Sequence, residues 1–340
     1  MAKVTSLNRL IPCKIFQIVP AKTILSNDIP AGLWPVMLTP FKSDLSIDWP
    51  AYDRLVDWYI ASGASGLFAV CLSSEMFLLS EDERLLLAKR AVARARGRVP
   101  VIAAGAFGDR DEIVAAFVKR LMATGISAAI CLTNQFCTEF ESAERWQKAA
   151  DRILAAIDPS VPLGLYECPQ PYPRLLTPAQ TEWAARQGRF RFLKDTSCSM
   201  QVIRSRIGAL RGTGMRLFNA NTPTLLDSLH AGARGYSGIA ANYMPKLYSW
   251  LCANFAAEPA TAERLHRFLS VADPLVGARY PASAKTFLHL GKFKISPKCR
   301  LANPAFSEED ILVLTSLRDE AVAWHRELGL GDIIFDAPSV

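Results

Sequence analysis

Lys194 closes a short run, residues 190–196, whose side chains alternate in the manner of a β-strand. Residues two apart on a strand share a face, so Phe190, Phe192 and Lys194 are expected on one side, with the amine uppermost. An amine held among apolar walls is disfavoured as an ammonium. Its pKa falls, and the neutral form can attack a carbonyl carbon. The run 162–168 has the same character: Gly164 and Tyr166 share a face, the glycine leaves room below, and the phenol reaches the rim. A phenol beside an amine can relay protons or hydrogen-bond a substrate oxygen. A third group, Leu72-Ser73-Ser74-Glu75, follows another strand-like run. Its hydroxyls and backbone N–H groups can hold a carboxylate, while Glu75 reads as structural, bonding neighbouring backbone. Each of these residues also fits an ordinary role: a strand-end lysine snorkels to water, a tyrosine packs in the core, a Ser-Ser pair sits in a loop. The position of Lys194, on the sixth of eight strand-like runs, favours the chemical reading.

The elements that must carry these residues are short apolar runs alternating with longer amphipathic ones. Strands are expected at 33–40, 66–72, 99–105, 128–133, 162–168, 190–196, 215–221 and 234–239. Continuous apolar strands separated by helices are what a buried parallel sheet requires. Ser80-Glu81-Asp82-Glu83 reads as a capping box, Thr177-Pro178-Ala179-Gln180 as an N-cap with Pro at the first helical position, and Thr222-Pro223 as the same device. Helices are expected to stop near Gly63, Gly97, Gly125, Gly188 and Gly212. Eight strands each followed by a helix predict a closed (β/α)8 TIM barrel with a C-terminal helical extension. An open nucleotide-binding sheet lacks support, because no GxGxxG follows the first strand. The expected organisation is an N-terminal extension over 1–30, the barrel over 31–258, a helical region over 259–330 packed on the barrel as an appendage, and a tail over 331–340. In such a barrel the working residues sit at the carboxyl ends of the strands.

Composition agrees with this class. Half of the 340 residues are hydrophobic and 21% charged, as in a globular enzyme with a sizeable core. The net charge of +7 comes from scattered basic residues, among them Arg84, Lys89, Arg90, Arg94, Arg96 and Arg98 on one helix, which read as a solvated face. No dense stripe or module points to nucleic acid, and no apolar run is long enough for a membrane span. The eight cysteines form no C-x-x-C pair, which argues against a zinc site and for a reducing, cytoplasmic setting. Lys3, Arg9 and Lys14 ahead of residues 15–21 loosely imitate a signal peptide, but Lys14 and Gln17 interrupt it; an extension or a misassigned start codon is the expectation.

Several stretches, in this order, resemble the dihydrodipicolinate synthase / N-acetylneuraminate lyase family. They are Thr39-Pro40-Phe41, Gly63-Ala64-Ser65-Gly66-Leu67, Ser73-Ser74-Glu75, Leu79-Ser80-Glu81-Asp82-Glu83-Arg84, Leu165-Tyr166-Glu167-Cys168-Pro169, Phe192-Leu193-Lys194-Asp195-Thr196 and Gly232-Ala233-Arg234-Gly235-Tyr236-Ser237-Gly238. The resemblance spans roughly residues 32–328. It implies that Lys194 forms an imine with pyruvate or a similar 2-oxo acid, that Tyr166 shuttles protons, and that Ser73 and Ser74 bind the carboxylate. Thr39, Phe136 and Gly238 join them as expected substrate-contacting positions. It implies no metal or organic cofactor, a small-molecule 2-oxo acid as partner, and a homo-oligomer, dimer or tetramer.

The departures matter equally. Where the synthases carry a threonine before Ser73, this chain has Leu72; where they carry a tyrosine after the fourth strand, it has Asn134-Gln135-Phe136; where they carry a carboxylate-binding arginine, it has Pro171. Leucine and phenylalanine cannot pass protons. Arg174 is a candidate for a displaced positive charge. The expectation is a family member that is not a true dihydrodipicolinate synthase. Its activity is an aldolase or lyase reaction on a 2-oxo acid, with two alternatives: a dehydratase of a sugar-derived 2-oxo acid, or a non-catalytic ligand-binding paralogue.

Overall fold

The computed structural model describes residues 29–108, 110–302 and 305–331. The signal-like stretch at 15–21, residues 1–28 of the expected extension and residues 332–340 of the expected tail lie outside the described residues. Seven of the eight apolar runs contain a strand, and the first, expected over 33–40, meets its strand only at Leu33: β1 Gly32–Leu33, β2 Leu67–Val70, β3 Val101–Ala103, β4 Ala128–Leu132, β5 Leu163–Tyr166, β6 Phe190–Asp195, β7 Arg216–Asn219 and β8 Gly235–Tyr236. All pair in parallel in the order β1-β8-β7-β6-β5-β4-β3-β2, and isolated bridges Leu33↔Ala64 and Val36↔Phe68 join the two ends. The ring is therefore closed, and the chain is a (β/α)8 barrel with C-terminal helices.

The crossovers are α1 Trp49–Ala61, α2 Glu81–Ala95, α3 Asp111–Met122, α4 Ala143–Ala156, α5 Pro178–Arg186, α6 Met200–Ala209, α7 Leu225–Ala231 and α8 Pro245–Asn254. They begin where side chains satisfy the orphan N–H groups of the first turn. Ser80 and Thr177 both complete reciprocal capping boxes, with Glu83 and Gln180. Thr222 does not. Helix α7 starts after Thr224, and the Thr222 hydroxyl turns inward to donate to Asp273 Oδ2 at 2.6 Å. The Thr-Pro pair is a turn signal attached to the wrong residue: with its proton given to Asp273, the Thr222 oxygen accepts from the phenols of Tyr236 at 3.0 Å and Tyr248 at 2.9 Å instead of a helix N–H group.

Aromatic side chains fill the barrel interior. Phe192 stacks on Phe218 at 4.5 Å and meets Trp34 edge-on at 5.3 Å, with Phe68 at 6.1 Å. Phe190 does not belong to this layer. In the register of β5 and β6, Leu163 pairs with Phe190 and Gly164 with Phe192, so Arg191 is one residue too many. The bulge flips the face of everything before it. Phe190 packs outward, 6.3 Å from Trp183 of α5, while Phe192 and Lys194 point inward. Gly164 is required by close approach: a Cβ there would crowd the Phe192 backbone carbonyl at 3.0 Å.

Three more helices follow, α9 Pro259–Gly277, α10 Ala282–Leu290 and α11 Glu308–Glu327. They are more than an appendage. Lys285 of α10 donates to Glu75 Oε1 at 2.9 Å, both side chains being fully buried, and Glu75 Oε2 accepts from the Leu301 N–H at 2.7 Å. A carboxylate after β2 thus ties the tail to the face of the barrel at the carboxyl ends of the strands. Glu75 is structural, as expected, with a more distant partner than its neighbouring backbone.

Candidate active site

The carboxyl ends of the strands surround a cavity of about 360 Å³. Its wall includes Lys194, Tyr166, Ser73 and Gly238 from the residues singled out by sequence, together with Leu72. Tyr166 and Lys194 are register partners on β5 and β6, and the Lys194 Nζ sits 4.3 Å from the centre of the Tyr166 ring and 6.0 Å from that of Phe68. Lys194 is 3% exposed. Its surroundings are aromatic rings and the thiols of Cys71 and Cys168, with no ion-pair partner among the described residues. Burial lowers its pKa from 10.5 to about 8. At pH 7 about a tenth of the amine is then neutral, against well under a thousandth for a free lysine. Burial pushes the Tyr166 phenol well above its ordinary value, so it enters the site protonated.

The backbone that holds this pair is locked from behind. Arg206 of α6, fully buried, donates to Glu167 Oε1 at 2.5 Å and to Asp195, the residues directly following Tyr166 and Lys194. Glu167 also accepts from the N–H groups of Leu176 at 2.7 Å and Thr196 at 3.1 Å. Burial raises the Glu167 carboxyl to about 7, with Arg206 opposing the shift and the nearby Asp195 charge adding to it. The sequence reading missed Arg206. Its signal was available: it falls three residues after the buried Ile203, on the apolar stripe of α6, where a charge needs a buried partner.

Other expected residues support the cavity without lining it. The Ser74 hydroxyl donates to Met37 O at 2.7 Å, with Ala69 O at 3.1 Å as the alternative acceptor, and accepts from the Cys71 N–H. Thr39 donates to Ser74 O at 2.9 Å and is fully buried. Both brace the turn that presents Ser73. Phe136 packs edge-on against Trp146 at 5.0 Å, away from the cavity wall. The neighbouring Asn134 donates to the carbonyls of Cys168, Gln170 and Tyr172, so this segment shapes the loop after β5. Arg174 is spent on the carbonyls of Glu139 and Glu141, both at 2.8 Å, and supplies no charge to the mouth.

Two cavity residues come from where no strand end pointed. Tyr280, between α9 and α10, accepts a 2.6 Å hydrogen bond from Asn242 Nδ2 and lies beside Ser73. Asp273 of α9 accepts from Thr222 and from the Tyr243 phenol at 3.0 Å. Burial raises its pKa, and no cation pairs with it among the described residues. No sequence signal marks either residue, since α9 and the turn after it pack back over the rim. No group of three or more His, Cys, Asp or Glu side chains among the described residues could hold a metal ion.

Fold and cavity together define a (β/α)8-barrel protein with a lysine-centred site at the carboxyl mouth of the ring. The model of the dihydrodipicolinate synthetase family matches residues 29–316, and the chain belongs to that family of aldolase-type lyases. It is 26% identical over 234 residues to a 4-hydroxy-tetrahydrodipicolinate synthase of Methylococcus capsulatus, covering 68% of this chain and 78% of the relative. It is also 26% identical over 289 residues to the Bacillus velezensis synthase, covering 84% and 96%. Among solved structures, the chloride-inhibited dihydrodipicolinate synthase of Acinetobacter baumannii, complexed with pyruvate, superposes with a TM-score of 0.77 at 23% identity, over 86% of this chain and 99% of that one. That likeness shows the fold.

Proposed function

We propose that this protein is a Schiff-base-forming lyase or aldolase acting on pyruvate or a related 2-oxo acid, and that it is not a dihydrodipicolinate synthase. The observation that carries the reading is the Lys194 amine, buried at the cavity with its pKa lowered to about 8 and a phenol against it. The neutral Nζ adds to the C2 carbonyl, the carbinolamine loses water, and the protonated imine accepts electrons from the adjoining carbon. A carbon–carbon bond alpha to the imine can then form or break, and water returns to release the amine. Tyr166 is the proton carrier, and Ser73 is the hydroxyl donor to the substrate carboxylate.

The case against the synthase activity rests on the replaced residues. Leu72 stands in the cavity wall where a relay hydroxyl is expected, and neither Pro171 nor Arg174 supplies a guanidinium to the mouth. Asp273 gives specific support to a second reading, a dehydratase, which needs a general acid for its leaving hydroxyl.

Borohydride reduction in the presence of pyruvate tests the chemistry. The expected product is a secondary amine at Lys194, located by peptide mapping and absent from Lys194→Ala. Failure to trap any 2-oxo acid would favour the non-catalytic paralogue. Product analysis separates the two reactions: pyruvate plus an aldehyde from the lyase, one dehydrated acid from the dehydratase.

A further inference from the structure

The hydrogen bonds that brace the turn after β2 belong to Ser74 and Thr39, and none of them fixes the direction of the Ser73 proton. The Ser73 hydroxyl is buried, and its hydrogen-bonding neighbour is the phenol of Tyr280, which shares the cavity wall with it. A hydroxyl is both donor and acceptor, and its hydrogen rotates to suit its neighbours. Whether Ser73 shows the cavity a proton or a lone pair therefore depends on Tyr280. Asn242, fully buried in the loop after β8, fixes the polarity of that phenol. One atom of its amide lies 2.7 Å from Val36 O and 2.6 Å from the Tyr280 oxygen, and the other lies 2.6 Å from the Tyr59 hydroxyl of α1. A carbonyl can only accept, so the atom facing Val36 O is the nitrogen. Its two hydrogens go to Val36 O and Tyr280, while Oδ1 accepts from Tyr59. The Tyr280 oxygen is an acceptor on its buried side and keeps its own proton for the side where Ser73 stands. Burial raises the Tyr280 phenol well above its ordinary value, so that proton stays in place.

We propose that Tyr280 is a positioning residue for the substrate carboxylate: it donates to Ser73 Oγ and so aims the Ser73 proton into the cavity. This inference rests on the Schiff-base reading, in which Ser73 is the carboxylate donor, and adds the residue that orients it. The donors run one way, from Tyr59 to Asn242, to Tyr280, to Ser73 and to the substrate. Without the phenol proton the serine is free to turn a lone pair toward the carboxylate, and two acceptors repel. Leu72, beside Ser73 in the wall, has no hydroxyl to take over.

The test is borohydride trapping of the full chain over a range of pyruvate concentrations. Tyr280→Phe keeps the ring and removes the proton. It should raise the half-saturating pyruvate concentration ~10-fold, the scale of one hydrogen bond to a charged group, and leave the limiting rate near the native one. Ser73→Ala should do the same. The double variant should be no worse than either single one, because the phenol acts through the serine; independent effects would multiply to about 100-fold and would overturn the proposal. An unchanged half-saturation in Tyr280→Phe overturns it too. The pH at which the limiting rate levels off, near 8 in the native chain, should not move in Tyr280→Phe. A move toward 10.5 would assign Tyr280 to keeping Lys194 dry and would overturn the positioning role. Absence of trapping in the native chain would instead remove the Schiff-base reading underneath, so the two failures are distinguishable.

Discussion

Lys194 is costly to keep where it is, and that cost gives two measurable signatures. The amine titrates near 8 in the folded chain and near 10.5 when free. The rate of borohydride trapping at saturating pyruvate should therefore rise with pH and level off above about 8; a plateau reached only near 10.5 would mean a solvated lysine. The stability consequence has the opposite flavour. Between those two values the unfolded chain binds more protons, so stability climbs with pH across that window and the burial penalty is fully present below it. Lys194→Met removes the penalty and should stabilise the protein by about 3 kcal/mol at pH 7, with the gain fading as pH rises from about 8 to 10.5, as read from urea midpoints. Tyr166→Phe should leave imine formation measurable while slowing turnover ~100-fold or more, the usual range for a lost general acid–base group; undiminished turnover would take Tyr166 out of the mechanism.

Elements matter because two strand ends must stay in register for the amine and phenol to meet. Glu167 and Asp195 immediately follow these residues, and Arg206 binds both from α6. Arg206→Met leaves two buried carboxylates without their cation and should cost about 3–5 kcal/mol, seen as a lowered denaturation midpoint. A change of less than about 1 kcal/mol would show that the backbone alone holds the strands. The bulge at Arg191 is the companion device, since it turns Phe192 and Lys194 inward while Phe190 serves the helical layer. Alternation along residues 190–196 therefore placed Lys194 and Phe192 correctly and Phe190 on the wrong face. An extra residue in a strand leaves no trace in hydrophobicity when both faces are apolar.

For the whole molecule, the joint between barrel and C-terminal helices governs whether the cavity wall is complete, because Asp273 of α9 and Tyr280 of the turn before α10 belong to it. Glu75 and Lys285 are its buried core. Either single change, Glu75→Leu or Lys285→Met, strands a buried charge and should cost about 3–5 kcal/mol, whereas the double variant should recover much of that loss. A thermodynamic cycle measures the coupling, and strict additivity would contradict the assignment. The seven described cysteines are all free, so this joint depends on packing and charge.

The eight strands, the Ser80 and Thr177 capping boxes and the rim position of Lys194 and Tyr166 were all legible in the chain itself, because periodicity and capping act within a few residues. The far wall of the cavity was not. Asp273, Tyr280 and Arg206 owe their roles to partners distant in sequence, and Thr222 abandons its expected cap for one of them. Ser74, Thr39 and Phe136 were expected to contact substrate, yet they stand behind the wall, since a motif records which residues occur and not which way a hydroxyl turns once a better acceptor is near. Closing the ring and folding the last helices over its mouth decided which polar groups face the cavity beside Lys194.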